Sequence, residues 1–196
     1  SLKALVRTIC TSRTYQLSST PTESNRSDKQ SYARFYPKRL SAEVLLDAVN
    51  QVTNSPPSFG GLPKDRNAAA RAIQLPDDGF SSYFLEVFGK PPRTSACECE
   101  RVSEANLAQV LHLLNSDETQ QKVARGDGRA DRLFKDPRPD AEKVTELWLW
   151  AFARKPTDAD LAAALEHLTA NAKNKRPAWD NLVWAVVNTK EFVFNQ

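Results

Sequence analysis

A chain of 196 residues with 40% hydrophobic content, four Trp and nine Phe holds enough apolar material for one domain with a real core, or for two small helical lobes, and is not a disordered chain. It contains no apolar run of the ~18 residues that a membrane-spanning helix needs. The net charge of +3 is too small to imply nucleic acid, but it is unevenly spread: residues 1–40 carry eight Lys/Arg against Glu23 and Asp28, a net +6, which leaves −3 on the remainder.

The chain opens on Ser1-Leu2-Lys3-Ala4-Leu5-Val6, with no Met and no signal-peptide layout, so the expectation is a fragment cut from a longer polypeptide. Leu2, Leu5, Val6 and Ile9 fall on one face of a helix spanning 2–13, and that stripe needs a partner. Ser12 to Gln30, rich in Ser, Thr, Asn and Arg, reads as a long exposed loop. Tyr32 to Leu40 interleaves aromatic rings with Arg34, Lys38 and Arg39. Such a segment either lays its rings on the core or offers a surface to a polyanion.

Ser41 is a good N-cap for a helix whose stripe is Val44, Leu45, Ala48, Val49 and Val52, and Pro56-Pro57 ends it. Phe59-Gly60-Gly61 lacks the spacing of a phosphate loop. Arg71 to Pro76 reads as a short extended piece. Ser82 to Phe88 reads as a short helix stopped by Gly89 and by Pro91-Pro92. Leu107, Val110, Leu111 and Leu114 mark the next helix, and Ser116 caps another that runs to Val123. Ala130 to Lys135 forms a further short helix. The last third is the most regular: Asp140 caps one helix, Thr157 with Asp160 caps the second, and Pro177 opens the third at its first position. The fold expected is all-α, an irregular multi-helix domain with long loops that ends in a three-helix antiparallel unit. Its parts are a basic N-terminal helix and loop over 1–40, a central helical part over 41–135 and a C-terminal helical unit over 140–196.

Chemistry concentrates at Cys97-Glu98-Cys99-Glu100-Arg101. In an extended segment the two sulfurs point to the same face, with their Cα atoms near the upper limit for a disulfide. Small buried side chains or a local bridge before the next helix is one reading. A second is a metal site drawing on Cys97, Cys99 and His112, but the paired ligand spacing is absent and no metal is expected. A third makes Cys99 a nucleophile ahead of a helix N-terminus, opposed by Glu98 and Glu100 and without a placed base. Glu98, Glu100, Arg101 and His112 are kept as a candidate polar cluster. Arg34, Lys38 and Arg39 are kept as candidate polyanion contacts.

Several blocks in order carry a resemblance. Tyr36-Pro37-Lys38-Arg39-Leu40-Ser41-Ala42-Glu43, Arg71-Ala72-Ile73-Gln74-Leu75-Pro76-Asp77, Phe88-Gly89-Lys90-Pro91-Pro92-Arg93, Cys97-Glu98-Cys99-Glu100-Arg101, Asn106-Leu107-Ala108-Gln109-Val110-Leu111-His112 and Phe192-Val193-Phe194-Asn195 are similar to the planctomycete-specific domain family of unknown function, DUF 1553. That resemblance covers nearly the whole chain. It implies the C-terminal portion of a large exported protein, in an extracytoplasmic setting (periplasm or cell surface). It also implies sister domains as partners, a cytochrome c-like domain upstream among them, and polysaccharide as a further one. The family carries no established catalytic residues. The chain has no Cys-x-x-Cys-His, so it does not itself attach a c-type haem, and no cofactor is expected. The expected role is a non-catalytic interaction or scaffold domain. The alternatives are a polyanion or glycan binding module built on the basic N-terminal region, and a redox or metal domain centred on Cys97 and Cys99.

Overall fold

A computed structural model describes residues 1–28, 30–57, 59–62, 70–75, 80, 82–90 and 107–195. The described chain is all-α apart from one two-residue ladder, and it divides into two compact units, Ser1–Arg39 with Phe194–Gln196, and Leu40–Val193.

In the smaller unit, α1 (Leu2–Cys10) is three residues shorter than its apolar pattern predicts. Thr8 and Thr11 turn their hydroxyls back to the carbonyls of Ala4 and Arg7, at 3.0 and 2.8 Å, and the helix ends there. The loop that follows is held by its own polar groups. Asn25 Oδ1 accepts from the Thr22 N–H at 2.7 Å, and Asn25 Nδ2 donates to the Ala33 carbonyl at 3.2 Å. Asp28 Oδ1 accepts the N–H groups of Gln30 and Ser31, both at 3.0 Å, and these bonds hold its carboxyl below the usual range. β1 (Lys38–Arg39) pairs antiparallel with β2 (Phe194–Asn195), setting Lys38 opposite Asn195 and Arg39 opposite Phe194.

The larger unit is built around α2 (Ala42–Thr53). Ser41 sits extended at its N-cap, and Asn54 ends it in the left-handed conformation at φ 54°. Around it pack the 3₁₀ turn Ala72–Gln74, α3 (Tyr83–Val87), α5 (Asp117–Val123), α6 (Arg129–Lys135), α7 (Asp140–Phe152) and α9 (Lys175–Val187). Covered from so many directions, α2 buries Ala42, Leu45, Leu46, Val49 and Val52 and also Glu43, Asp47, Asn50 and Thr53. Val44, expected inside, is exposed. Ala72–Gln74 is a 3₁₀ turn between the extended residues Arg71 and Leu75, not part of one extended piece, because Asp47 accepts the N–H groups of Ala72 and Ile73 at 2.6 and 3.3 Å. A side chain distant in sequence thus selects a turn over an extended conformation.

α4 (Leu107–Asn115) runs into α5 through Ser116, whose Oγ accepts the Thr119 N–H at 3.2 Å. Gly89 ends the α3 segment at φ 79°. Gly128 caps α6 where a Cβ would meet the Thr53 carbonyl oxygen at 3.1 Å, so glycine is what lets α6 approach the end of α2. α7, α8 (Asp158–Ala170) and α9 pack on one another through short connections. Thr157 and Asp160 form the reciprocal cap of α8: the Thr157 hydroxyl accepts the Asp160 N–H at 3.2 Å, and Asp160 Oδ2 accepts the Thr157 N–H at 3.0 Å.

Two caps differ from expectation. Pro139 and not Asp140 is the N-cap of α7. α9 starts at Lys175, so Pro177 is its third residue, a position whose N–H has no partner within the helix in any case. Trp179, Leu147, Val183 and Val187 are fully buried and knit α7 to α9, each large side chain contributing about 1.5–3 kcal/mol. A final turn, α10 (Lys190–Val193), buries Phe192.

Candidate functional site

Cys97, Glu98, Cys99, Glu100 and Arg101 lie outside the described residues. Cys10 is a free, half-buried thiol. Among the described residues, no group of three or more His, Cys, Asp and Glu side chains is arranged to hold a metal ion. In the smaller unit Arg34 lays its guanidinium over the Tyr36 ring at 4.4 Å. Its Nη1 donates to the Ser19 carbonyl at 3.4 Å. Lys38 and Arg39 are consecutive in β1, where the pleat sends successive side chains to opposite faces. Arg34 lies outside that strand.

His112 leads to a denser constellation, all of it within the larger unit. On α4 it is 6% exposed and sits against three rings of the α3 segment: Tyr83 and Phe84 at 5.3 Å and Phe88 at 6.1 Å between centroids. Its Nε2 is buried without a hydrogen-bond partner among the described residues, 3.9 Å from Glu118 Oε2. Burial pushes the imidazole below its ordinary pKa, and Glu118 opposes that shift only in part.

The Ser116 cap starts α5 so that Glu118 falls in its first turn and Lys122 one turn later on the same side. Lys122 Nζ lies 3.5 Å from Glu118 Oε1 and donates to Asn50 Oδ1 on α2 at 2.8 Å. The Ser55 hydroxyl donates to the Lys122 carbonyl at 3.2 Å. The Lys122 side chain is only 13% exposed, and this desolvation holds its pKa below the usual lysine value, with Glu118 again opposing. Among the described residues, Asn50 Nδ2 is buried with no hydrogen-bond partner.

Two cavities flank the group. One of about 370 Å³ is walled by Ser82, Tyr83, Glu118, Gln121, Lys122 and Arg125. The other, about 320 Å³, is walled by Asp47, Asn50, Ser55 and Arg71. The second is largely structural, since both Asp47 oxygens are committed to the 3₁₀ turn and to Arg71 Nε at 3.4 Å. The first is the candidate site. It offers an amine of reduced basicity and a carboxylate between two bases, with the buried imidazole of His112 behind Glu118 and outside the cavity wall. Of the Asn50, His112, Glu118 and Lys122 group the sequence singles out only His112. The Glu118–Lys122 spacing was a usable signal, whereas nothing local marks Asn50, which reaches Lys122 through the packing of α2.

A family model described as protein of unknown function (DUF1553) matches residues 1–168, from α1 through most of α8. The chain belongs to that family. No curated protein matches the chain. No solved structure matches it either.

Proposed function

We propose that the chain is an interaction domain, a scaffold module of a larger exported polypeptide, with α1 as its docking element. The observation that carries this reading is the apolar face of α1. Leu2, Leu5, Val6 and Ile9 are 82%, 56%, 58% and 49% exposed, and no residue of the helix is buried. A nine-residue helix is not stable in water on propensity alone. Covering its stripe supplies what propensity lacks, at ~25 cal/mol for each Å² of apolar surface removed from water.

The partner is defined by charge as well as by apolar character. Lys3 and Arg7 lie to one side of the stripe, and α1 contains no acidic residue. The matching surface is an apolar groove with carboxylates along one rim, on a sister domain of the same polypeptide. Hydrogen exchange over residues 2–10 tests the reading. The expected result is fast exchange in this chain alone, slow exchange within the parent polypeptide, and fast exchange there again in the Leu5→Asp/Ile9→Asp variant. Equal exchange in the chain alone and in the parent would sink the proposal.

A further inference from the structure

We propose that Lys122 is a reversible covalent capture site for small aldehydes, which enter the cavity of about 370 Å³ between α3 and α5. The site lies wholly within the larger unit and is independent of docking through α1.

Four features of the geometry lead there. The amine forms part of the cavity wall, yet its side chain is 13% exposed, so it is accessible to a small molecule and poorly solvated. Asn50 Oδ1 at 2.8 Å fixes its direction and accepts an N–H from either the ammonium or the free amine. Glu118 stands 3.5 Å from that amine and 3.9 Å from His112 Nε2, and neither contact is a short hydrogen bond, so the carboxylate keeps capacity to take and return a proton. Ser82 Oγ accepts the Leu85 N–H at 3.4 Å as the cap of α3, which leaves its own hydrogen to donate to a carbonyl oxygen in the cavity. Burial of Lys122 and the nearby Arg125 both favour the free amine.

The chemistry balances without any further reactant. Glu118 takes a proton from the Lys122 ammonium, and the nitrogen lone pair forms a C–N bond to the aldehyde carbon. The carbonyl π pair moves to oxygen, which takes the proton from Glu118. A second N–H proton passes through Glu118 as the C–O bond breaks, and water leaves. The sum is ammonium plus aldehyde giving iminium plus water, with no change in charge or oxidation state. Hydrolysis reverses it.

The test uses the native chain, propanal as the probe and cyanoborohydride to fix the imine, with the rate at each lysine read by peptide mass spectrometry. Lys173, exposed on the turn between α8 and α9, is the internal reference. Lys122 is expected to label at least about tenfold faster than Lys173. Glu118→Gln is expected to slow Lys122 and leave Lys173 unchanged. Labelling of Lys122 no faster than Lys173 in the native wild-type chain overturns the proposal, whatever the variant does.

Discussion

Lys122 donates an ammonium N–H to Asn50 Oδ1 at 2.8 Å and so joins α5 to the C-terminal half of α2 across 72 residues of sequence. Both partners are largely enclosed, and the bond is to a charged donor, which places it among the stronger hydrogen bonds. Asn50→Ala is expected to lower the free energy of unfolding by about 2 kcal/mol, because the ammonium loses its nearest acceptor. Asn50→Leu combined with Lys122→Met should cost less than the two single changes added together, since the ammonium is removed together with its nearest acceptor and no buried cation is left without one. Urea unfolding of the four proteins gives the coupling directly. Strict additivity would show that the contact contributes nothing of its own.

His112 gives a pH-dependent effect of opposite kind. Its folded-state pKa lies below the ordinary 6.5 because the rings of Tyr83, Phe84 and Phe88 exclude water, and Glu118 is the charge that faces it. Between the folded value and 6.5 the unfolded chain binds a proton that the folded chain does not. Stability therefore falls as pH drops below 6.5. His112→Phe fits the aromatic surroundings and removes that proton, and Nε2 has no hydrogen bond to lose. Thermal unfolding from about pH 7.5 to about pH 5 should show a smaller loss of stability in the variant than in the wild type. Parallel curves would mean that the imidazole is not held neutral in the fold.

These two residues show what could and could not be read from the chain. Local signals did well where the decisive partner is close in sequence. Thr157 with Asp160, Ser116 with Thr119, Asn54 before Pro56-Pro57, and Gly89 all work as their residue types require. Signals failed where a distant group decides. The turn at Ala72–Gln74 forms because Asp47 takes its N–H groups from 25 residues away. Helix periodicity found α2 and most of its buried stripe but failed at Val44. A helix enclosed from many sides buries polar residues such as Asp47 and Asn50, and leaves the apolar Val44 exposed. For the same reason Glu118 and Lys122 look like an ordinary surface pair until α2 is packed beside them. Cys97 to Arg101, the most conspicuous stretch of the sequence, lies outside the described residues.

Arg129 is a second long-range tie, and it is not replaceable by lysine. Its Nε and Nη2 donate to the Val52 and Gln51 carbonyls at 3.3 and 3.4 Å, at the end of α2 where free carbonyls and the helix dipole call for a cation. Its Nη1 lies 3.5 Å from Glu146 Oε1, and its guanidinium stacks over Trp150 at 4.2 Å. One planar group thus binds α2 to α7 from its place on α6. Arg129→Lys keeps the charge but loses the fork and the stacking, at an expected cost of about 1–3 kcal/mol. Arg129→Ala should cost about 2–4 kcal/mol, since two carbonyls lose their donor and Glu146 is left with Arg138 alone among the described residues. Urea midpoints check both, and a lysine variant as stable as wild type would rule out the fork geometry as the source of the stability.

The loop before α7 carries a strongly perturbed carboxylate, Asp136. Asp136 accepts the Arg138 N–H at 2.9 Å and Arg138 Nε at 2.9 and 3.1 Å, and the same guanidinium also meets Glu146. These bonds bring the Asp136 pKa from 3.8 down to about 2. A carboxyl depressed on folding adds stability that is fully present above its unfolded value and is lost as pH falls through the folded one. Its contribution therefore disappears between 3.8 and about 2. Asp131, Asp140 and Asp160 are also depressed, by partners of their own, so the acid limb of the wild type is a sum over several groups. Asp136→Asn should make that limb shallower without removing it. A carboxyl NMR titration isolates the residue itself. The Asp136 midpoint is expected at about 2 in the wild type and should rise toward 3.8 in Arg138→Gln. The pair is accessible to solvent, so high salt should raise the wild-type midpoint as well. A midpoint indifferent to both the substitution and the salt would show that Arg138 is not what holds the proton off.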